Sequence, residues 1–132
     1  MGSMDARKEQ ALAAYRQGSE LDSSGHSDRA IPRYREALEL GLDEEWRRQC
    51  VIQLASSLRN VGETAESVAL LSEEQGRRSD ELDDAVAAFL ALALTSAGRE
   101  REAVAVAVNA LASHRERYQR SLRNYAAALT DG

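Results

Sequence analysis

The sequence has few of the residues that cross-links, sheets and nucleic-acid surfaces require. It contains one cysteine, Cys50, so no intrachain disulfide or zinc cluster can form from cysteines, and a reducing compartment, the cytoplasm, is expected. One proline and the lack of alternating Val, Ile and Thr argue against a mostly β chain. The net charge of −5 argues against nucleic-acid binding. No signal-peptide pattern begins the chain, and no apolar run is long enough to span a bilayer.

The sequence also lacks the patterns that carry catalysis. No glycine-rich phosphate loop occurs, and His26 and His114 are far apart with no ligand-spaced neighbour. Adjacent residues on a helix do not face each other, so paired carboxylates cannot form a catalytic dyad. We interpret as surface or first-turn charges the pairs Glu44–Glu45, Glu73–Glu74 and Asp83–Asp84. The sequence therefore predicts no enzyme, no metal site and no cofactor.

Of the 132 residues of the chain, 43% are hydrophobic, and only 5% of all residues are aromatic. The core must then be built from Ala, Leu, Val and Ile, which favours one domain of closely packed helices. Lys8 is the only lysine among 17 basic residues, which is typical of a high-GC bacterial genome. Residues 1–3 precede a second methionine, Met4, and resemble a cloning remnant, so the domain is taken as residues 4–132.

Apolar residues at helical spacing predict about seven helices. Their approximate limits are 4–21, 27–40, 43–60, 63–76, 80–97, 100–114 and 115–129. In the later helices the inward residues are predicted to be Ala65, Val68 and Leu71; then Ala103, Val104, Ala107, Ala110 and Leu111; and last Tyr118, Leu122, Tyr125, Ala126 and Leu129.

Three inter-helix glycines, Gly25, Gly62 and Gly98, divide the chain at nearly equal intervals of 37 and 36 residues. The same small and large apolar sites recur around each glycine. A fixed period of this size is typical of stacked helical hairpins. Small side chains at the crossings let two helix backbones approach to about 8–10 Å.

This pattern resembles the tetratricopeptide repeat family. The best matches are AIPRYREAL at 30–38 and AVAVAVNAL at 103–111. The resemblance implies an all-α fold of stacked antiparallel helical hairpins, an α-solenoid. It would contain repeats at about 11–42, 48–78 and 84–114 and a capping helix at 115–130. The sequence departs from the family in lacking the early tryptophan and the proline between repeats, and in having Glu74 where a small residue is expected.

The resemblance also implies a function, because these domains bind extended or helical peptides in a groove lined by the first helix of each hairpin. The predicted groove residues are Tyr15, Ser19, Gln49, Ile52, Gln53, Ser56, Arg59, Asn60, Phe89, Leu92, Arg120, Arg123 and Asn124. Arg59 and Arg123, with neighbouring asparagines, could hold a carboxylate or a peptide backbone. The alternative is that these are only solvated helix faces. The residues of the family's chaperone-tail clamp are absent, so no chaperone is predicted as the partner.

Phe89 and Leu92 have two interpretations. They form an exposed landing site for a protein or peptide partner, or they are covered by the last helix through Tyr118, Leu122 and Tyr125, and partial covering is expected. The alternative function is a self-associating structural protein, a homodimer formed through the same apolar surface. Neither interpretation involves a membrane or nucleic acid.

Overall fold

The computed structural model describes residues 3–77 and 80–131. Met1 and Gly2 of the assigned remnant lie outside the described residues, as do residue 78, the end of the predicted second repeat, and residue 132. All regular elements in the described part are helical. They are α1 (Ser3–Ser23), α2 (Ser27–Leu40), α3 (Glu44–Asn60), α4 (Thr64–Arg77), α5 (Asp83–Ser96), α6 (Glu100–Ala112) and α7 (Gln119–Thr130), with a 3-10 turn at Glu116–Tyr118 before α7.

The helices form a row of antiparallel hairpins, as predicted. Each helix packs on the next one in the chain, and the first helices of successive hairpins also touch, α1 on α3 and α3 on α5. The last helix differs, because α7 packs on α6 without a comparable contact to α5. None of the described helices is both long and apolar enough to cross a membrane.

Each hairpin turn is built in the same way around one glycine. Gly25, Gly62 and Gly98 have φ values of +82°, +89° and +79°, which L side chains rarely adopt. The residue after each glycine then donates its N–H back to a carbonyl of the preceding helix, in the bonds His26 to Leu21, Glu63 to Leu58 and Arg99 to Leu94, all 2.8 Å long. The equal spacing of the glycines thus reflects one repeated helix ending.

The core is divided into two adjoining clusters. The first cluster is formed by α1, α2 and α3 and contains Tyr34 and Leu54. The second cluster is formed by α3, α4, α5 and α6 and contains Leu71 and Val86. Small buried residues lie where helices cross, as at Ala93 of the second cluster. The alanine-rich composition therefore serves close helix packing.

Some predicted inward faces are wrong in α4, α6 and α7. Ala65 is exposed because α4 turns Ser67 inward, where its hydroxyl donates to the Ala55 carbonyl at 2.7 Å. On α6, Ala103 is buried as predicted, but Val104 and Leu111 are exposed, and the smaller Ala105 and Ala112 are buried instead. On α7, Ala126 is buried, Leu122 and Leu129 are half-buried, and Tyr125 is exposed; Tyr118, in the 3-10 turn before α7, is also exposed.

Gly18 of α1 allows a close approach that an alanine would prevent. A Cβ at this position would lie 2.5 Å from Cε1 of the buried Tyr34 ring. We expect Gly18→Ala to lower the free energy of unfolding by about 1–3 kcal/mol, since the ring has no room to retreat. The control is Gly76→Ala in α4, which meets nothing within 4 Å and should stabilise the protein by up to about 1 kcal/mol. Urea denaturation of both variants measures this, and equal effects would contradict it.

Candidate functional site: the groove between α1, α3 and α5

Two of the predicted groove residues are not available on the surface. Tyr15 is buried, with its ring packed 6.0 Å from that of Tyr34 and 5.9 Å from that of Trp46. Ile52 is buried in the second core cluster. The prediction that both are exposed is wrong, because Tyr15 packs in the cluster between α1, α2 and α3, whereas Ile52 packs in the cluster that α3 forms with α4, α5 and α6.

A hydrogen-bond network also occupies the polar residues between α1 and α3. The Gln53 amide donates to the Tyr15 hydroxyl at 2.9 Å, and its Oε1 accepts from Ser19 Oγ at 2.9 Å. The Tyr34 hydroxyl lies 2.7 Å from the same Oε1. Residues that were predicted to meet a ligand therefore bond to one another and fix this end of the groove.

Asp22 at the end of α1 joins three helices. Its carboxylate accepts from Ser27 at 3.2 Å, from Tyr34 at 2.5 Å and from Ser57 at 2.8 and 2.9 Å. We call Asp22, Ser27, Tyr34 and Ser57 the Asp22 cluster. Burial, and next the hydrogen bond to Asp22, raise the pKa of Tyr34 above its usual value of 10.0. Asn60, another predicted groove residue, donates to Ser27 at 3.1 Å.

The open part of the groove lies between α3 and α5. Leu92 is 46% exposed, Ala88 is exposed, and Phe89 is half-buried against the second core cluster. On α3, three half-buried polar residues face solvent, Gln49, Ser56 and Arg59. We call these six residues the groove. The core, and not α7, covers Phe89, since Tyr118 and Tyr125 are themselves exposed and α7 packs on α6.

The predicted carboxylate clamp between Arg59 and Arg123 does not form. Arg59 Nε donates to Ser96 Oγ at 3.0 Å, at the last residue of α5. Arg123 instead lines a cleft of about 340 Å³ with Asp83 and Asp84, at the first turn of α5. The first turn and the last residue of α5 are separated by about twelve residues, or about 18 Å, so the two arginines lie at opposite ends of this helix. Arg120 and Asn124 are exposed on α7, away from the groove residues of α3.

A buried ion cluster next to the groove was missed by the sequence interpretation. Arg48 of α3 is buried; its Nε lies 3.2 Å from Glu74 Oε2, and its Nη1 lies 2.9 Å from Asp83 and bonds to Asp80. Glu74 also accepts from Arg47 Nη2 at 2.6 Å. The interpretation of Glu74 as a surface charge is therefore wrong. The sequence does contain a signal for this cluster, since Glu74 occupies an inward site where the family has a small residue, and a charge at an inward site needs a buried partner.

Among the remaining reactive side chains, His114 is paired with a carboxylate and Cys50 is buried. His114 Nε2 lies 2.8 Å from Asp84 Oδ2 in an exposed pair. Burial raises the pKa of the Cys50 thiol to about 12, so this residue is a packing element. Among residues 3–77 and 80–131, no group of three or more His, Cys, Asp or Glu side chains could hold a metal ion.

Comparison with known proteins agrees with this architecture. The family model described as Tetratrico peptide repeat matches residues 11–129. Searches of the curated proteins and of the solved structures give no significant match. Tetratricopeptide repeats are generally protein–protein interaction modules and typically non-catalytic. With nine-tenths of its length matched and the hairpin row in place, the chain belongs to the tetratricopeptide repeat family.

Proposed function

We propose that the chain binds an extended or helical segment of a partner protein in the groove between α3 and α5. One observation carries the proposal, the 46% exposure of Leu92 beside the half-buried Phe89 on the groove side of α5. Large apolar side chains that face solvent together mark interaction sites more often than isolated ones do. An apolar side chain of the partner would pack on this wall and remove it from water.

The opposite wall supplies polar groups for the partner's backbone. Ser56 can donate and accept, and Arg59 has five N–H donors, of which Nε is bonded to Ser96. Gln49 accepts from the Tyr15 hydroxyl and donates to the Glu45 carbonyl, both at 3.4 Å, so it would have to exchange these long bonds for bonds to the partner. The network around Gln53 holds α1 against α3, so this wall is ordered before the partner arrives. Preorganisation of this kind lowers the entropic cost of binding.

The test is selection of peptides from a random display library on the immobilised protein. Selected peptides should lose binding by at least about tenfold to the Leu92→Arg variant, because a buried charge replaces the apolar contact. The matched control is Leu111→Arg, an exposed leucine on α6, outside the groove. The groove assignment fails if the selected peptides bind both variants alike, or if only the α6 variant loses binding.

Further properties belong to the same proposal. The domain of residues 4–132 acts without catalysis in a bacterial cytoplasm, supported by the single buried thiol of Cys50 and the arginine-rich composition.

The alternative function is self-association through Phe89 and Leu92. This alternative predicts that the library experiment selects no peptide for the wild-type groove. It also predicts that Leu92→Arg is a monomer in solution.

A further inference from the structure

The hairpin of α6 and α7, with the 3-10 turn between its helices, carries four large exposed apolar side chains. Val104 is 50% exposed, Leu111 66%, Tyr118 56% and Tyr125 72%. These four make up more than half of the seven large hydrophobic residues that are exposed in the described part of the chain. We call them the terminal surface.

Three of the four residues lie opposite residues that line clefts of the hairpin. These clefts are lined by Val106 and Asn109 of α6 and by Arg123 of α7. Residues two positions apart on a helix differ by about 200°. Val104 is therefore opposite Val106, Leu111 is opposite Asn109, and Tyr125 is opposite Arg123. Val104, Leu111 and Tyr125 therefore face away from the cleft that Arg123 lines with Asp83 and Asp84, and Tyr118 lies in the 3-10 turn between the two helices.

The two helices run antiparallel, which sets the neighbours within this surface. Arg101 Nε donates to the Leu129 carbonyl at 2.9 Å, and the Gln119 amide donates to the Ala112 carbonyl at 3.1 Å. Leu111 and Tyr118 thus lie at the end of the hairpin near its loop, and Val104 lies at the opposite end. Tyr125 lies between them on α7, two turns beyond Tyr118.

The two ends of the terminal surface carry opposite charges. Arg117 lies at the loop end, with its guanidinium carbon 5.4 Å from the centre of the Tyr118 ring. Glu100 lies at the other end, one helical turn before Val104 and exposed. Glu100 and the end of α6 at Ala112 are twelve residues apart, or about 18 Å. A surface with opposite charges at its ends is complementary to itself after a two-fold rotation.

The overall charge distribution also favours a second copy of the chain as the occupant. Between residues 115 and 123, four arginines against one glutamate give +3, which leaves −8 on the rest of a chain whose net charge is −5. The basic end of one copy is thus attracted to the acidic body of another. An apolar centre with charged ends matches the usual anatomy of a protein interface.

We propose that the terminal surface is a self-association site, in which two copies pack antiparallel about a two-fold axis. Val104, Leu111, Tyr118 and Tyr125 of each copy form the apolar centre, and Glu100 of each copy pairs with Arg117 of the other. The groove residues Leu92 and Arg59 take no part. The dimer therefore presents two open grooves, and this inference does not depend on the proposed peptide binding.

A charge-swap experiment tests both the surface and its geometry. Sedimentation velocity over a range of concentrations should give a dimer for the wild-type chain and a monomer for Leu111→Arg. Glu100→Arg alone and Arg117→Glu alone should each weaken association by about tenfold, because like charges then meet. An equimolar mixture of these two variants should restore it, since position 100 of each variant then faces an opposite charge at position 117 of the other.

Two results would overturn the proposal. One is a wild-type chain that stays monomeric at about 1 mM, a concentration at which even an association of about −4 kcal/mol would be half complete. The other is a mixture of the two charge variants that associates no better than either one alone. The control is Leu92→Arg, which should associate like the wild type; its loss of association would place the contact in the groove instead. Unchanged circular dichroism spectra exclude misfolding.

Discussion

Replacing Arg48 by methionine is expected to lower the free energy of unfolding by about 3 kcal/mol. The methionine fills similar volume, but Asp80, Asp83 and Glu74 then lose the guanidinium that lies among them. Methionine withdraws the buried cation that these carboxylates surround, and breaking a buried ion cluster by removing one member costs more than the cluster itself contributes. Arg47 still pairs with Glu74, which keeps the cost at the lower end of the usual range.

Chemical denaturation of the wild type and two variants measures this effect. The matched control is Arg35→Met, which breaks an exposed bidentate pair with Glu66 and should cost no more than about 1 kcal/mol. The thermal midpoint of the Arg48 variant should fall by roughly 10 °C, and that of the Arg35 variant by no more than about 4 °C. Similar losses for both variants would mean that the buried cluster is no more important than a surface ion pair.

Asp22→Ala is expected to lower the free energy of unfolding by about 2–3 kcal/mol. The substitution removes the acceptor of three hydroxyl groups, including that of the buried Ser57. Hydrogen bonds to a charged group contribute about 1.5–3 kcal/mol, and a buried donor left without an acceptor costs a similar amount. The control is Glu20→Ala, which removes an exposed carboxylate from the same end of α1 and should change stability by less than about 0.5 kcal/mol.

The pH dependence of stability provides a second measurement of the same cluster. The pKa of Tyr34 is raised above 10.0 in the folded protein, so the protonated phenol binds its proton more tightly there than in the unfolded chain. Its contribution is fully present below about pH 10 and is lost as the pH rises further. Tyr34→Phe should therefore flatten the alkaline loss of stability. An unchanged alkaline profile in this variant would contradict the role assigned to the Tyr34 hydroxyl.

The hairpin row could be predicted from the sequence because its turns depend on local chemistry. Gly25, Gly62 and Gly98 each accept a positive φ that few other residues adopt, so their spacing reports the repeat directly. Helical periodicity also accounts for the buried stripes of α2 and α3, which include Tyr34 and Cys50. These features can be predicted without knowing which helices contact each other in the folded protein.

The polar interior could not be predicted in the same way, because its members become partners only after folding. Arg48 and Asp83 are 35 residues apart, and Asp22 and Ser57 are also 35 residues apart. Single residues of this kind look like ordinary surface charges in a sequence. The orientation of α6 was missed for a related reason, since Val104 and Ala105 fit an inward position equally well by periodicity. Which of the two is buried depends on how α6 packs against its neighbouring helices, and in the structure it is the smaller Ala105.

The two polar clusters have a consequence for how the protein unfolds. The Asp22 cluster connects the first hairpin to α3, and the ions around Arg48 connect α3 and α4 to the start of α5. In a linear array of repeats, cooperativity depends on the coupling between nearest neighbours relative to the stability of each repeat. Both clusters strengthen that coupling, because each one connects side chains of different repeats. Helices α1 to α5 are therefore expected to open as one cooperative unit.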